Sequence, residues 1–477
     1  MKAFFLCLLF LFTLSGIKAQ PAKPCATCPP QSITLTTQAQ VDNFQVNYPN
    51  CTVIIGGLEI SGSNITNLIG LNGITSDQSW LNISDCPALT SLMGLNNLGS
   101  IGSYFMIENC NALHNLTGLN NLHTISNSFS VSGCSSLENL SGMDNVTSIG
   151  DFIDIRNCNS LISLAGLSGL TTINYSLDIT NCSSLSTLNG LNNLNAVHSN
   201  LDISSCPSLN SLAALGNLHQ VRGNFSVEGC SSLHHFTGIG NLAEIWLSLI
   251  LKNNSHLQNL NGFNKLTFLG GNLMIDQCDS LASLSGMGIL HAVGASVYIT
   301  NCSSLPSMTG LESLTSIGLA LEIMGCGSLA SLHGIDNIAA GTIYTLDVSG
   351  NGSLTSCAVH SICDLLANPN GPIVISGNAA GCNSPQEVQD SCTLDGIPPE
   401  ASGMLPDIWS NPASGLVTVR NIAKGMLYML NTAGQVVLCR SVTEPDPVID
   451  VSILPAGVYV VRIVDHDKSL ARKIIIR

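Results

Sequence analysis

A mainly β fold is predicted: a parallel β-solenoid of 24-residue turns, followed by a small C-terminal β-sandwich. Three observations carry this reading. One residue type returns every 24 positions: Cys86, Cys110, Cys134, Cys158, Cys182, Cys206, Cys230, then Asn254, then Cys278, Cys302 and Cys326. Each copy opens on a short alternating apolar stretch, as Leu177-Asp-Ile179 does. The last stretch of chain abandons the period for short β-rich runs split by turn residues. A fixed period of this length is the mark of a solenoid, in which each turn buries its apolar residues only by stacking on the next.

Within the turn around Cys182, Leu177 and Ile179 alternate with Asp178, which is strand periodicity. After the cysteine the apolar residues fall three apart, at Leu185, Leu188, Leu191 and Leu194. A one-faced helix would mix threes and fours, so the return should be 3₁₀ turns or short extended pieces. Gly190 lies in that return, in a column with Gly94, Gly118, Gly142, Gly166, Gly238, Gly262, Gly286, Gly310 and Gly334. Such a column points to a bend that a Cβ would hinder; Ala214 interrupts it. About a dozen turns at a strand spacing of ~4.8 Å make a rod of roughly 60 Å.

The cysteine column has two readings. Neighbouring turns are close enough for disulfides. Yet Asn254 splits the column into seven cysteines and three, both odd, so pairing neighbours strands a thiol in each block. A ladder of buried free thiols, each a small apolar residue with a weak donor, is the expectation. Asparagine fits the same place by hydrogen-bonding the turn.

Taken in order, residues 1–19 read as a signal peptide: Lys2, an apolar core from Ala3 to Leu14, and a small residue, Ala19, for cleavage. The core is short for a membrane span, and the mature chain is expected to hold no transmembrane segment. Residues 20–60 read as an N-terminal cap with a strand at Ile33-Thr-Leu35 and a short helix from Thr37 to Tyr48. Cys25, Cys28 and Cys51 lie off the ladder, and in an oxidising compartment Cys25 or Cys28 should pair with Cys51. The solenoid occupies 61–355, its last turn carrying one extra residue that sets Asn351 at the ladder place. A C-terminal cap at 356–392 shows helical spacing from Cys357, a strand at Ile373-Val-Ile375, and four cysteines (Cys357, Cys363, Cys382, Cys392) whose three pairings the spacing leaves open. Residues 393–406 are Gly/Pro-rich and read as a linker. Strands are expected within 407–477 at Leu416–Val419, Met426–Leu430, Val436–Leu438, Val448–Val451, Val458–Val464 and Lys473–Ile476, with a turn at Asn431–Gly434.

Two resemblances attach to these motifs. Leu-x-Ile-x-x-Cys/Asn-x-x-Leu resembles the leucine-rich repeat, and Gly-Leu-x-x-Leu-x-x-Ile in the return is similar to its receptor L-domain variety, over about residues 50–355. The resemblance implies ligand binding on a solenoid surface. Asn411-Pro-Ala-Ser, Gly434-Gln-Val-Val, Leu454-Pro-Ala-Gly-Val-Tyr-Val-Val and the basic end Arg472-Lys-Ile-Ile-Ile-Arg477 resemble the sorting domain of proteins exported by the type IX secretion system of the Bacteroidetes. Trp409-Ser410 stands where that domain usually carries Tyr-Pro. This second resemblance implies recognition of 407–477 by that machinery, passage through the periplasm and outer membrane, and removal of the domain, ending in release or attachment to the cell surface.

Composition narrows the function. Only 9% of residues are charged against a usual ~25%, and the net charge is −15, so nucleic acid and anionic membranes are poor partners. No nucleophile elbow, His-Glu-x-x-His or phosphate-binding loop occurs, so neither an enzyme nor a cofactor is expected. The pair His234-His235 reads as a surface pair, and acceptor patterns such as Asn181-Cys-Ser and Asn115-Leu-Thr as chance in so Asn/Ser-rich a chain. The residue between the two apolar strand positions should face out on every turn. That column holds three stacked carboxylates, Asp154, Asp178 and Asp202, with Arg156 beside them, then an exposed apolar stretch, Ile250, Met274 and Tyr298. Stacked like charges raise one another's pKa, and exposed apolar patches mark partner sites. These six residues are the candidate partner-binding face, and the leading expectation is a secreted or cell-surface recognition or adhesion protein for a protein or glycan. A structural stalk without a ligand is the first alternative, and a polysaccharide hydrolase using the Asp column the second.

Overall fold

The structure, a computed structural model, describes residues 28–394, 407–409, 415–420, 425–431, 434–442, 448–465 and 468–476. The expected signal peptide, Cys25, the Asn411-Pro-Ala-Ser motif and most of the linker lie outside them. Four-residue strands, one per turn from Leu81–Ser84 to Val297–Thr300, stack in chain order. They form a 15-stranded sheet that begins at Ile33–Leu35 and ends at Ile373–Ser376. All of its pairs are parallel, and between regular turns the register is 24: Leu177 faces Leu201, and Asp178 faces Asp202. The extra residue before Asn351 is absorbed between Ala320–Met324 and Thr345–Ser349, where Leu321 faces Leu346.

Alternation in the sequence marks one strand per turn; the structure has two. Two-residue strands such as Ser100–Ile101 and Ala196–Val197 form a second parallel ribbon on the back of the coil, in sheets of five and seven strands. All but Ser76–Asp77, which turns Asp77 inward, contribute an inward apolar side chain, too short a signal for alternation to reveal. Between front and back the leucines of the return are wholly buried, as Leu185, Leu188, Leu191 and Leu194 show. Each is stabilised by roughly 1.5–3 kcal/mol on leaving water.

Two backbone positions make the coil close. The residue before each ladder position is left-handed: φ is 51° at Asp85, 53° at Asn109, 55° at Asn181 and 66° at Gly133. Asn, Asp and Gly tolerate that region at least cost. The return glycines sit further out, with φ 118° at Gly190, where a Cβ would lie 2.0 Å from the carbonyl oxygen of Leu164. Alanine cannot take that conformation. At Ala214 the return instead becomes a 3₁₀ helix, Ala213–Leu215, as it does at Ile69–Leu71.

The ladder thiols from Cys86 to Cys326 are all buried, and none is in a disulfide. Each makes a weak contact with the carbonyl oxygen two residues back, as Cys182 Sγ does with Thr180 O at 3.6 Å. Burial pushes the thiol of Cys158 up to about 11 and those of Cys230 and Cys278 up to about 12, so no reactive thiolate forms there at neutral pH. At Asn254 the amide accepts from Cys230 N at 2.9 Å and donates to Val227 O at 2.9 Å. Asn351 repeats this with Cys326 N and Ile323 O, and Asn378, beyond the regular turns, donates to Val348 O and accepts from Asn351 N.

The caps seal both ends. Cys28 is bonded to Cys51, Cys357 to Cys382 and Cys363 to Cys392. The N-terminal cap holds two short helices rather than one, Gln38–Asp42 and Phe44–Asn47, the first with a capping box between Thr37 and Gln40. The C-terminal cap adds His360–Ala367 and a second helix, Pro385–Leu394, which runs into the start of the expected linker. The described strands between 407 and 476 form a sandwich of a three-stranded and a four-stranded sheet, with Val417, Leu427, Ile449, Val461 and Ile474 in its core. Its first strand, Asp407–Trp409, was not expected.

Replacing Gly190 with alanine should lower the thermal midpoint, because strain at such a position costs about 1–3 kcal/mol and the Leu164 carbonyl cannot move without breaking the turn below. Thermal melts of the variant and wild type check this; an unchanged midpoint would contradict the steric role given to the column.

Candidate functional site

Strand alternation turns one side chain per turn onto the outer surface of the long sheet. From Asn82 through Asp347 every residue in this column is half-buried, because each is flanked at strand distance by its neighbours above and below. Ile250, Met274 and Tyr298 are therefore not the freely exposed apolar stretch expected: they shield one another, and none is among the large exposed apolar side chains. They do adjoin, with Ile250 opposite Met274 and Met274 opposite Tyr298.

The acidic part of the column is as closely stacked. Asp154 faces Asp178, and Asp178 faces Asp202. Arg156 pairs with Asp154 and reaches across the turn to Asp178 Oδ2 at 2.6 Å. Thr180 donates its hydroxyl to Asp178 Oδ1 at 2.7 Å. Asp202 has no ion-pair partner among the described residues. Burial, and then the charge of Asp178, push its carboxyl up to about 6. Asp154 is raised by burial, against the pull of Arg156. Further along, Glu322 faces Asp347, and burial with the charge of Asp347 raises Glu322. The face therefore runs from acidic, through Ser226 and the apolar trio, to acidic again.

Elsewhere polar side chains tie one turn to the next. Asn97, Asn121, Asn145, Asn193, Asn217 and Asn241 each donate to a carbonyl in the turn below, at 2.6–2.8 Å. A second ladder runs Asn200, Asn224, Ser248, Asn272, Ser296, each side chain accepting the backbone N–H of the residue 24 positions on. Asp77 stands in the inward column occupied by Ile101 and Ile125 in the next turns; it is buried, and desolvation pushes its carboxyl up to about 6. At the corner before the strands, Trp80 stacks on Tyr104 at a ring distance of 5.7 Å. His234 lies near His256 of the next turn, while His235 bonds Thr237, so the adjacent pair diverges. Among the described residues no group of His, Cys, Asp and Glu could hold a metal, and no helix is long and apolar enough to cross a membrane.

Comparison with known families agrees with both halves of this architecture. Residues 82–210 and 156–282 match the BspA type leucine rich repeat region, in 6 copies. Residues 407–477 match the secretion system C-terminal sorting domain. No curated protein matches the chain. The chain is a leucine-rich-repeat solenoid with a type IX sorting domain, and that domain directs export to the cell surface or beyond it.

The raised carboxyl of Asp202 has a signed consequence. The folded state holds its proton between the unfolded value of 3.8 and about 6. Its contribution to stability is therefore fully present below the lower value and lost as pH rises through the upper one. Asp202→Asn should melt higher than wild type at pH 7.5, with the gap closing below about pH 4. Paired melts across that range check it; a gap independent of pH would rule the carboxylate out as its source.

Proposed function

We propose that this exported leucine-rich-repeat solenoid is a non-enzymatic recognition or adhesion protein that binds a protein or glycan along the outer face of its long sheet. The observation that carries the reading is the column from Asn82 to Asp347. It is one rigid, in-register row of half-buried side chains whose chemistry changes in blocks. A surface built on strands holds its groups in fixed positions, so little side-chain freedom is lost on binding. The acidic block Asp154–Asp178–Asp202 suits cationic or hydroxyl-rich groups, and the block Ile250–Met274–Tyr298 offers an apolar anchor beside it. Solenoids of this kind are typically non-enzymatic, and two of the three carboxylates in the acidic block, Asp154 and Asp178, are tied up by Arg156 and Thr180 rather than arranged as an acid and a base around a reacting atom.

Probing an array of extracellular proteins and glycans with the mature chain should find a partner. The double variant Asp178→Asn, Tyr298→Ala should then bind it at least ~30-fold more weakly, the loss of about 2 kcal/mol expected of a hot spot. Undiminished affinity would remove this face as the binding surface.

A further inference from the structure

The back of the solenoid changes character along its length. In the turns at 148–152 and 172–176, the residues of the back strand and the corner after it are mostly exposed: Ser148, Gly150, Phe152, Thr172, Asn174 and Tyr175. At the same positions six turns after each the chain carries Ala292, Gly294, Ala295, Ser296, Ser316, Gly318 and Ala320, and all are buried. The residues became smaller and yet lost their solvent, so something covers them. The cover is the C-terminal sandwich. Arg462 is wholly buried, its guanidinium 3.8 Å from the ring centre of Phe268 and donating to Leu269 O at 3.3 Å. A Cβ on Gly294 would stand 3.1 Å from its Nη1. Tyr428 packs against the ring of Phe268 at 5.7 Å, and Gly434 lies against Gly271 and Asn272.

We infer that the back face at residues 268–320 is a receptor for the chain's own sorting domain, which is carried docked in one orientation, with Arg462 as its anchor. Burying a guanidinium is unfavourable unless acceptors and a ring meet it. The glycine column Gly270–Gly294–Gly318 supplies that access, where the four preceding turns place Asn174, His198, Arg222 and Trp246. Docking also has a consequence for the last strand. Lys468–Ile476 is the edge of its four-stranded sheet and passes beside the back strand Ser316–Ile317 and the turn Ala340–Thr342. An uncovered edge strand invites pairing with other chains; here the solenoid stands against it. Beside the anchor the two surfaces leave a cleft of ≈ 870 Å³, lined among others by Trp246, Phe268, Tyr428 and Cys439.

The test uses the full chain and Ala295→Tyr. Tyr175 holds the equivalent place five turns earlier and is 55% exposed, so the coil accepts tyrosine there, and the sorting domain itself is untouched. Small-angle scattering should show wild type with the sandwich against the rod, and the variant with a larger radius of gyration. Hydroxyl-radical labelling of Phe268, whose ring Arg462 and Tyr428 cover, should run several-fold faster in the variant. Arg462→Gln should move both readouts the same way. Wild-type scattering from two separated bodies, or an Ala295→Tyr chain unchanged in both size and labelling rate, would overturn the inference.

Discussion

The parallel hydrogen bonds between successive turns hold this protein together, and almost every feature of the sequence serves their register. A strand of four residues has no stable existence alone, and a leucine on a single turn has nothing to pack against. Stacked at a constant offset of 24, each backbone donor meets the turn beyond it, as Leu177 N meets Asn200 O and Leu201 N meets Asn224 O. The offset also aligns like with like. Cysteine lies over cysteine, asparagine over asparagine and aspartate over aspartate. A residue type is tolerated in a column only if it suits contact with its own kind. Thiols and amides do, because they are small or can both donate and accept. Carboxylates do so at a cost, seen in the raised pKa of Asp202 and eased where Arg156 reaches two of them.

The scarcity of charge follows from the same constraint. A column of ten lysines or glutamates would repel itself at strand spacing. Asparagine and serine instead tie one turn to the next, so the polar surface of the coil is also part of its framework. The ladder from Asn200 to Ser296 and the return asparagines from Asn97 to Asn241 both serve in this way. The outer face of the long sheet is correspondingly plain, with its chemical identity set by a few interruptions of the pattern.

How much of this could be read in advance depended on the length of each signal. The period, the front strands and the buried free thiols were legible because each recurs ten times or more. The return glycines were legible as a bend, and Ala214 as an exception, but not that the exception resolves into a 3₁₀ turn. The back strands escaped notice because a pair such as Ser100–Ile101 offers one inward residue and no alternation. Asn378 escaped because the spacing stretches between the last strands, where Val348 pairs with Ile375. On the face, the order Asp154, Asp178, Asp202 and the trio ending at Tyr298 followed from the period, while their half-burial depended on neighbours' side chains that periodicity does not measure. The seat of the sorting domain was hidden most completely: the small residues Ala292 to Ala320 look unremarkable until what lies over them is known.

Excising one whole turn tests the stacking account most directly. Removal of residues 182–205 takes out 24 positions and brings Cys206 to the ladder place next to Cys158. The shortened chain should fold cooperatively into a rod shorter by about 4.8 Å, with its remaining ladder thiols still protected from labelling. Removing only residues 182–193 should abolish folding, since half a turn sets front strands against back ones. If both deletions behaved alike, whether folded or unfolded, the claim that register between turns holds this protein together would be contradicted.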